Sequence, residues 1–168
     1  MNREKTVVAY AGKIKILGYG FYKGKKGFAL RVHAKSKAKM KARVRELTSR
    51  KTVNDYEKWK VDLKRYVVGW VNYCKLADMG KYLQSVDVWM RRRIRMVFWK
   101  KWKRVRTRWR NLRKLGISNR NAGILANSRK GYWRIASSPI LKTALSNGPL
   151  EKAGFRFFNA YYRKSAAA

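Results

Sequence analysis

The sequence predicts an α+β chain that is mainly helical: a small N-terminal β-hairpin or sheet, then long helices, then a small helical appendage. Three observations carry that expectation. Apolar and β-branched residues alternate in part up to Val32, they recur at steps of three and four from Ser36 to about Arg108, and Gly and Pro cut the chain into short pieces beyond Gly116. The expected boundaries are 1–34 for the sheet, 35–114 for the long helices and 115–168 for the appendage.

Taken in order, Thr6–Tyr10 and then Ile14, Ile16 and Leu17 read as strands, and Phe28–Val32 as the strand returning from a Gly24–Gly27 hairpin turn. Gly18, Gly20 and Gly24 miss the dinucleotide fingerprint by one position and are read as allowing bends in a short sheet. A first helix over about 36–48 aligns Met40, Val44 and Leu47 on one side. A second, about 53–77, has Thr52 as expected cap with Asp55 three residues on, and an apolar stripe running through Trp59, Leu63, Tyr66, Val67, Trp70 and Cys74. A third, about 82–108, buries Met90, Ile94, Val97, Phe98, Trp102 and Val105. Ser118 is the expected cap of a helix through Ala126, Pro139 opens another to about Leu145, and a last short helix begins near Pro149.

The 168 residues carry a net charge of +36, from 44 Lys and Arg against 8 Asp and Glu. Since 46% of the residues are hydrophobic and 14% aromatic, the chain is expected to fold, unlike highly charged disordered chains. A compact body with that charge repels itself, so its natural partner is a polyanion, nucleic acid first. The charge is uneven: Lys5–Arg45 holds 13 bases and no acid, Val88–Leu150 holds 18 bases and no acid, and Glu46–Asp87 holds six of the acids. The flanking stretches are therefore expected to bind and the middle one to serve as scaffold.

One cysteine, Cys74, excludes an internal disulfide and a cysteine-based zinc cluster, and the single His33 excludes sites needing two histidines. No apolar run approaches the roughly 20 residues that span a bilayer, and the first residues lack a signal-peptide core, so a cytoplasmic protein without membrane partner is expected. The acids are too scattered for acid–base or two-metal chemistry, and Asp55 and Glu57 face different directions on a helix. No catalytic residue, metal or cofactor is expected. Basic side chains that meet phosphates and aromatic rings that stack on unpaired bases fit this inventory better.

Several segments resemble a known family. Leu17-Gly18-Tyr19-Gly20-Phe21 is similar to the sheet segment that ends the palm of group II intron reverse transcriptases. Gly69-Trp70-Val71-Asn72-Tyr73, Arg91-Arg92-Arg93-Ile94-Arg95 and Trp99-Lys100-Lys101-Trp102-Lys103 resemble the maturase-specific, or X, domain that serves as polymerase thumb. Asn127–Arg134 followed by Ser138-Pro139-Ile140-Leu141 resembles the DNA-binding segment after the thumb. The family's metal-binding carboxylates lie in a Tyr-Ala-Asp-Asp motif upstream of these segments, and nothing in 1–168 matches it. The chain alone is therefore expected not to polymerise DNA.

The resemblance implies the end of a palm sheet (1–34), a helical thumb bundle (35–114) and a small DNA-binding-like appendage (115–168) that together grip intron RNA and assist its folding and splicing. Its implied partners are structured intron RNA, template–primer duplex or target DNA, and an upstream reverse-transcriptase fragment. The alternatives are the carboxyl-terminal part of a split reverse transcriptase and, remotely, a membrane-active cationic protein. The expected nucleic-acid-binding residues are Lys35, Lys37, Lys41, Arg45, Arg91, Arg92, Arg93, Arg95, Lys100, Lys103, Arg104, Arg106, Arg129, Lys130 and Arg134.

Overall fold

The computed structural model describes residues 9–24, 27–51 and 53–166. Three short strands, β1 (Lys15–Ile16), β2 (Tyr19–Gly24) and β3 (Gly27–Val32), form an antiparallel meander. Ile16 pairs with Tyr19 across Leu17 and Gly18, whose φ angles are 48° and 86°. Two successive positive φ values are what a tight type I′ hairpin loop requires, free for glycine and costing a leucine about 1 kcal/mol. Gly24 pairs with Gly27, as the expected hairpin demands, while Lys25 and Lys26 lie outside the described residues. Of the expected strand Thr6–Tyr10, Thr6 to Val8 also lie outside them. Ala9 and Tyr10 are not in a strand, and Ala11–Lys13 is a single 3-10 turn.

So small a sheet needs an outside support. Tyr19 donates its hydroxyl to the Tyr73 carbonyl, and Tyr73 returns its own to Leu17 O at 2.6 Å. Asp78 adds two more ties, its N–H to Leu30 O at 3.0 Å and its carboxylate accepting from the Tyr22 hydroxyl at 3.1 Å.

Nine helices follow among the described residues: α1 (Ala34–Leu47), α2 (Tyr56–Cys74), α3 (Gly80–Lys101), α4 (Val105–Lys114), α5 (Asn119–Ala126), α6 (Tyr132–Ile135), α7 (Pro139–Ala144), α8 (Asn147–Lys152) and α9 (Phe158–Ala166). Local signals start several of them. His33 caps α1 by accepting from Lys35 N–H through Nδ1 at 3.1 Å, and Ser118 and Ser138 cap α5 and α7, with Pro139 in the first turn of α7. The cap of α2 is Asp55, whose Oδ1 accepts from Glu57 N–H at 2.8 Å, so the helix begins three residues later than expected. Thr52, the expected cap, lies outside the described residues.

The expected helix 82–108 is two helices. α3 stops at Lys101, Arg104 is extended (φ −86°, ψ 144°), and α4 sets off to pack on α5. The break is held by Arg108, which donates Nε to Trp102 O at 2.9 Å and lies over the Trp99 ring at 4.7 Å.

The core sits where α2 and α3 meet. Leu63, Val67, Val71, Leu83, Met90, Ile94 and Val97 are fully buried, each worth about 1.5–3 kcal/mol by removal from water. The buried face of α2 is centred on Trp59, Leu63, Val67, Val71 and Cys74, so Trp70 and Tyr66 flank the spine instead of forming it. The apolar residues of 115–168 do not build a separate centre: α9 packs on both α2 and α3. Phe158, fully buried, meets Trp70 and Tyr66 edge to face at 5.7 and 6.4 Å, and Phe155 meets Trp59 at 5.0 Å. Asp87, inside α3, fixes the start of α9 by accepting from the N–H groups of Phe158 and Asn159, both at 2.9 Å.

Candidate nucleic-acid interface

With so few carboxylates, the guanidinium groups inside this fold turn to backbone carbonyls. Two ion pairs exist among the described residues, Arg43–Glu46 and Lys60–Glu57. Arg93 instead donates Nη2 to Arg45 O at 3.0 Å and Thr48 O at 3.3 Å, and Nε to the Thr48 hydroxyl. Those carbonyls end α1, where a helix leaves acceptors unsatisfied and the dipole favours a cation. Burial, then the neighbouring Arg45 charge, lowers the Arg93 pKa. Arg92 reaches the Trp133 carbonyl at 3.0 Å with its guanidinium 3.8 Å from that indole, and Arg91 lies over the Phe157 ring at 5.3 Å. Successive helical residues point about 100° apart, so the triplet addresses three different neighbours.

Arg95 corrects the expectation made for it. It is only 7% exposed and donates Nε to Leu145 O, 3.0 Å away at the end of α7. Its charge faces the interior, where burial lowers its pKa, and not a phosphate surface. In sequence it sits in a run of arginines; in space that run winds around α3 and one member falls on the buried side.

Cations along α1 and α3, the tied Arg93 included, are organised by rings. Lys37 and Lys41, one turn apart on α1, lie 4.5 and 5.8 Å from the ring of Tyr82. Arg45 and Arg93 lie 5.9 and 5.5 Å from Trp89, and Lys100 and Arg50 lie 5.3 and 4.8 Å from Tyr132. Tyr82, Trp89, Arg93 and Lys100 fall at steps of seven, four and seven and so share one side of α3. At 1.5 Å per residue their seam is about 27 Å long. Cation and ring alternate along it, each cation partly desolvated by the aromatic face it covers. Tyr82, Trp89, Arg50 and Tyr132 were not among the sequence-derived site residues; the seven-residue spacing of Tyr82 and Trp89 was the signal available for two of them.

The other expected binders sit outboard of this seam. Lys35 is exposed in the first turn of α1, Lys103, Arg104 and Arg106 are exposed where α3 gives way to α4, and Arg129, Lys130 and Arg134 are exposed between α5 and α6 and on α6. None of them is in an ion pair among the described residues. Three of the acids, Glu46, Asp55 and Asp62, gather instead around one shallow cleft between α1 and α2. The surface therefore has a strongly basic side built on α1, α3 and the α5–α6 connection.

The remaining chemical candidates have structural occupations. His33 caps α1, and Cys74 is buried, its thiol pushed up to about 11 by desolvation. Among the described residues no group of three or more His, Cys, Asp or Glu is placed to hold a metal ion, and no helix is long and apolar enough to cross a membrane.

Residues 37–116 match the family model of the group II intron maturase-specific domain. The match runs from the first turn of α1 to the end of α4 and contains the Lys37–Lys100 seam. No curated protein matches the chain.

Proposed function

With a group II intron maturase-specific domain over residues 37–116 as the premise, we propose that this chain grips folded intron RNA along the α1–α3 seam and assists its folding and splicing. The observation that supports this most directly is the seam itself: Lys37, Lys41, Arg45 and Lys100 are ordered on rings along one side of the matched segment, with no carboxylate among them. Each cation that meets a phosphate releases a condensed counterion, giving affinity that falls steeply with salt. The protein does no covalent chemistry in this reading. It favours the splicing-competent RNA fold by as much as it binds that fold better than the alternatives. Template–primer duplex or target DNA would use the same phosphate-binding surface.

Titration of a folded group II intron RNA against an unstructured RNA of equal length, at several salt concentrations, tests the reading. A clear preference for the folded intron, and faster splicing at limiting magnesium, is expected. Equal affinity for heparin and both RNAs would sink it.

A second reading, the carboxyl-terminal part of a split reverse transcriptase, draws on the N-terminal sheet. Ile16 on β1, Leu17 in the β1–β2 loop and Phe28 on β3 are 53%, 77% and 64% exposed, apolar side chains that suit contact with a preceding polymerase fragment. Primer extension on mixing the chain with an upstream fingers-and-palm chain would support it, and absence of extension when the fused enzyme extends would end it.

A further inference from the structure

Where the seam ends at Tyr132, a cleft of about 530 Å³ opens between the start of α4 and the α5–α6 connection. Trp99 and Arg108 form its inner wall, Val105 and Tyr132 its apolar sides, and Arg129 and Lys130 its rim. The lining contains no carboxylate. Arg108 is held there by the carbonyls of Trp102 and Ala126 and by the Trp99 ring, so its charge is fixed and in no ion pair among the described residues. Val105, 45% exposed, offers an aliphatic contact at the cleft.

We propose that this cleft takes one unpaired nucleotide, with its base against Val105 and Tyr132 and its phosphate on Arg129 and Lys130. The inference rests on the nucleic-acid-binding reading and adds a preference that the seam alone does not supply. A cleft this size lies in the range that encloses small ligands and is too narrow for a duplex. Its lining sets the Tyr132 ring and Val105 beside the polar Asn127 and Ser128 and the cations Arg129 and Lys130, which suits a flat base with hydrogen-bonding edges joined to an anion better than free phosphate and describes an unstacked base on its backbone. Tyr132 belongs both to the seam, under Arg50 and Lys100, and to the cleft. A strand whose phosphates follow the seam therefore arrives at the cleft mouth, and a residue extruded from it enters.

The test compares two RNA hairpins of equal charge density, one fully paired and one with a single-nucleotide bulge, and the same pair made of DNA, by fluorescence anisotropy at matched salt. The bulged hairpin should bind about 5- to 150-fold more tightly, the range that one stacked base supplies. Val105→Glu should abolish that preference, because it puts a carboxylate against the rim cations. It should not harm folding, since Val105 opens α4 and an acid in a first turn is favourable. Val61→Glu, exposed on α2, changes net charge equally and should keep the preference. A wild-type preference in RNA and DNA alike, lost in Val105→Glu, means base and phosphate suffice; preference for the RNA bulge alone means the 2′-hydroxyl is read as well, and both support the cleft. Equal binding of paired and bulged hairpins by the wild type, or an unchanged preference in Val105→Glu, overturns the proposal while leaving the seam reading in place. Failure to bind any hairpin would fail the seam reading itself.

Discussion

Arg93 looks in sequence like one more basic residue of a binding helix, and its structure assigns it to the fold. Replacing it with Ala leaves Arg45 O and Thr48 O without their donor, and Thr48 is fully buried. A buried acceptor left unpaired costs about 1–3 kcal/mol, and hydrogen bonds from a charged donor contribute about 1.5–3 kcal/mol each. Regained hydration of the partly exposed region around Arg45 offsets some of this, so the expected loss is about 2–4 kcal/mol. For a chain of this length that is a fall in melting temperature of roughly 5–15 °C. Arg93→Lys should recover little, because an ammonium cannot fork across two carbonyls and a hydroxyl. The assay is thermal denaturation followed by circular dichroism, with RNA titrations at matched salt on both variants. A normal melt combined with weaker binding and a shallower salt slope would refute the reasoning and make Arg93 a phosphate contact.

Lys37→Ala with Lys41→Ala should melt like the parent but bind RNA more weakly, flattening the log–log salt dependence by about 0.7–0.9 for each phosphate no longer neutralised; filter binding across a salt series reads this. Trp59→Ala should cost about 3–5 kcal/mol as a buried aromatic, and Trp70→Ala clearly less because Trp70 is only half-buried, which urea denaturation of both variants will rank. Burial pushes the Asp87 carboxyl up to about 6, against the opposing effect of the Asn159 and Phe158 N–H groups and Arg91. Because the folded value lies above the unfolded one, the folded state binds the extra proton, so stability should rise as pH falls from about 7 to 4, by at most about 3 kcal/mol. Asp87→Asn should flatten that slope in melts taken across the range.

The parts of the fold that were legible in the sequence are those written in neighbouring residues. Ser118 and Pro139 announce helix starts because caps act within one turn, and the period of Leu63, Val67 and Cys74 announces a buried helix face. The break at Trp102 had no such mark. Neither Gly nor Pro interrupts Phe98–Val105, the apolar period reads straight through, and the stop depends on Arg108 and on packing against α5. Arg95 shows the same limit at the site, since a one-dimensional basic run cannot reveal that the Leu145 carbonyl, far along the chain, lies within reach. Lys37 and Lys41 were legible as an i, i+4 pair, whereas the ring beneath them belongs to another helix.

These placements separate the two kinds of base in this chain. Arg92, Arg93, Arg95, Arg108 and Arg113 all donate to backbone carbonyls, four of them to carbonyls at or near the ends of helices. A protein with eight acids cannot pair that many cations with carboxylates, but every helix offers unsatisfied carbonyls at its negative end. The planar guanidinium suits that task, since it reaches several acceptors at once and is weakly hydrated enough to be buried. An ammonium keeps its water, and Lys37 and Lys41 accordingly stay on rings at the surface, where a phosphate can exchange for solvent. The arginines of α3 and α4 that turn to carbonyls thus let a body this basic place guanidinium groups inside the fold, where Asp87 is the one buried carboxylate among the described residues. On the proposed RNA-binding function, affinity is expected to depend more on the lysines and the outboard arginines than on the arginine run that dominates the sequence.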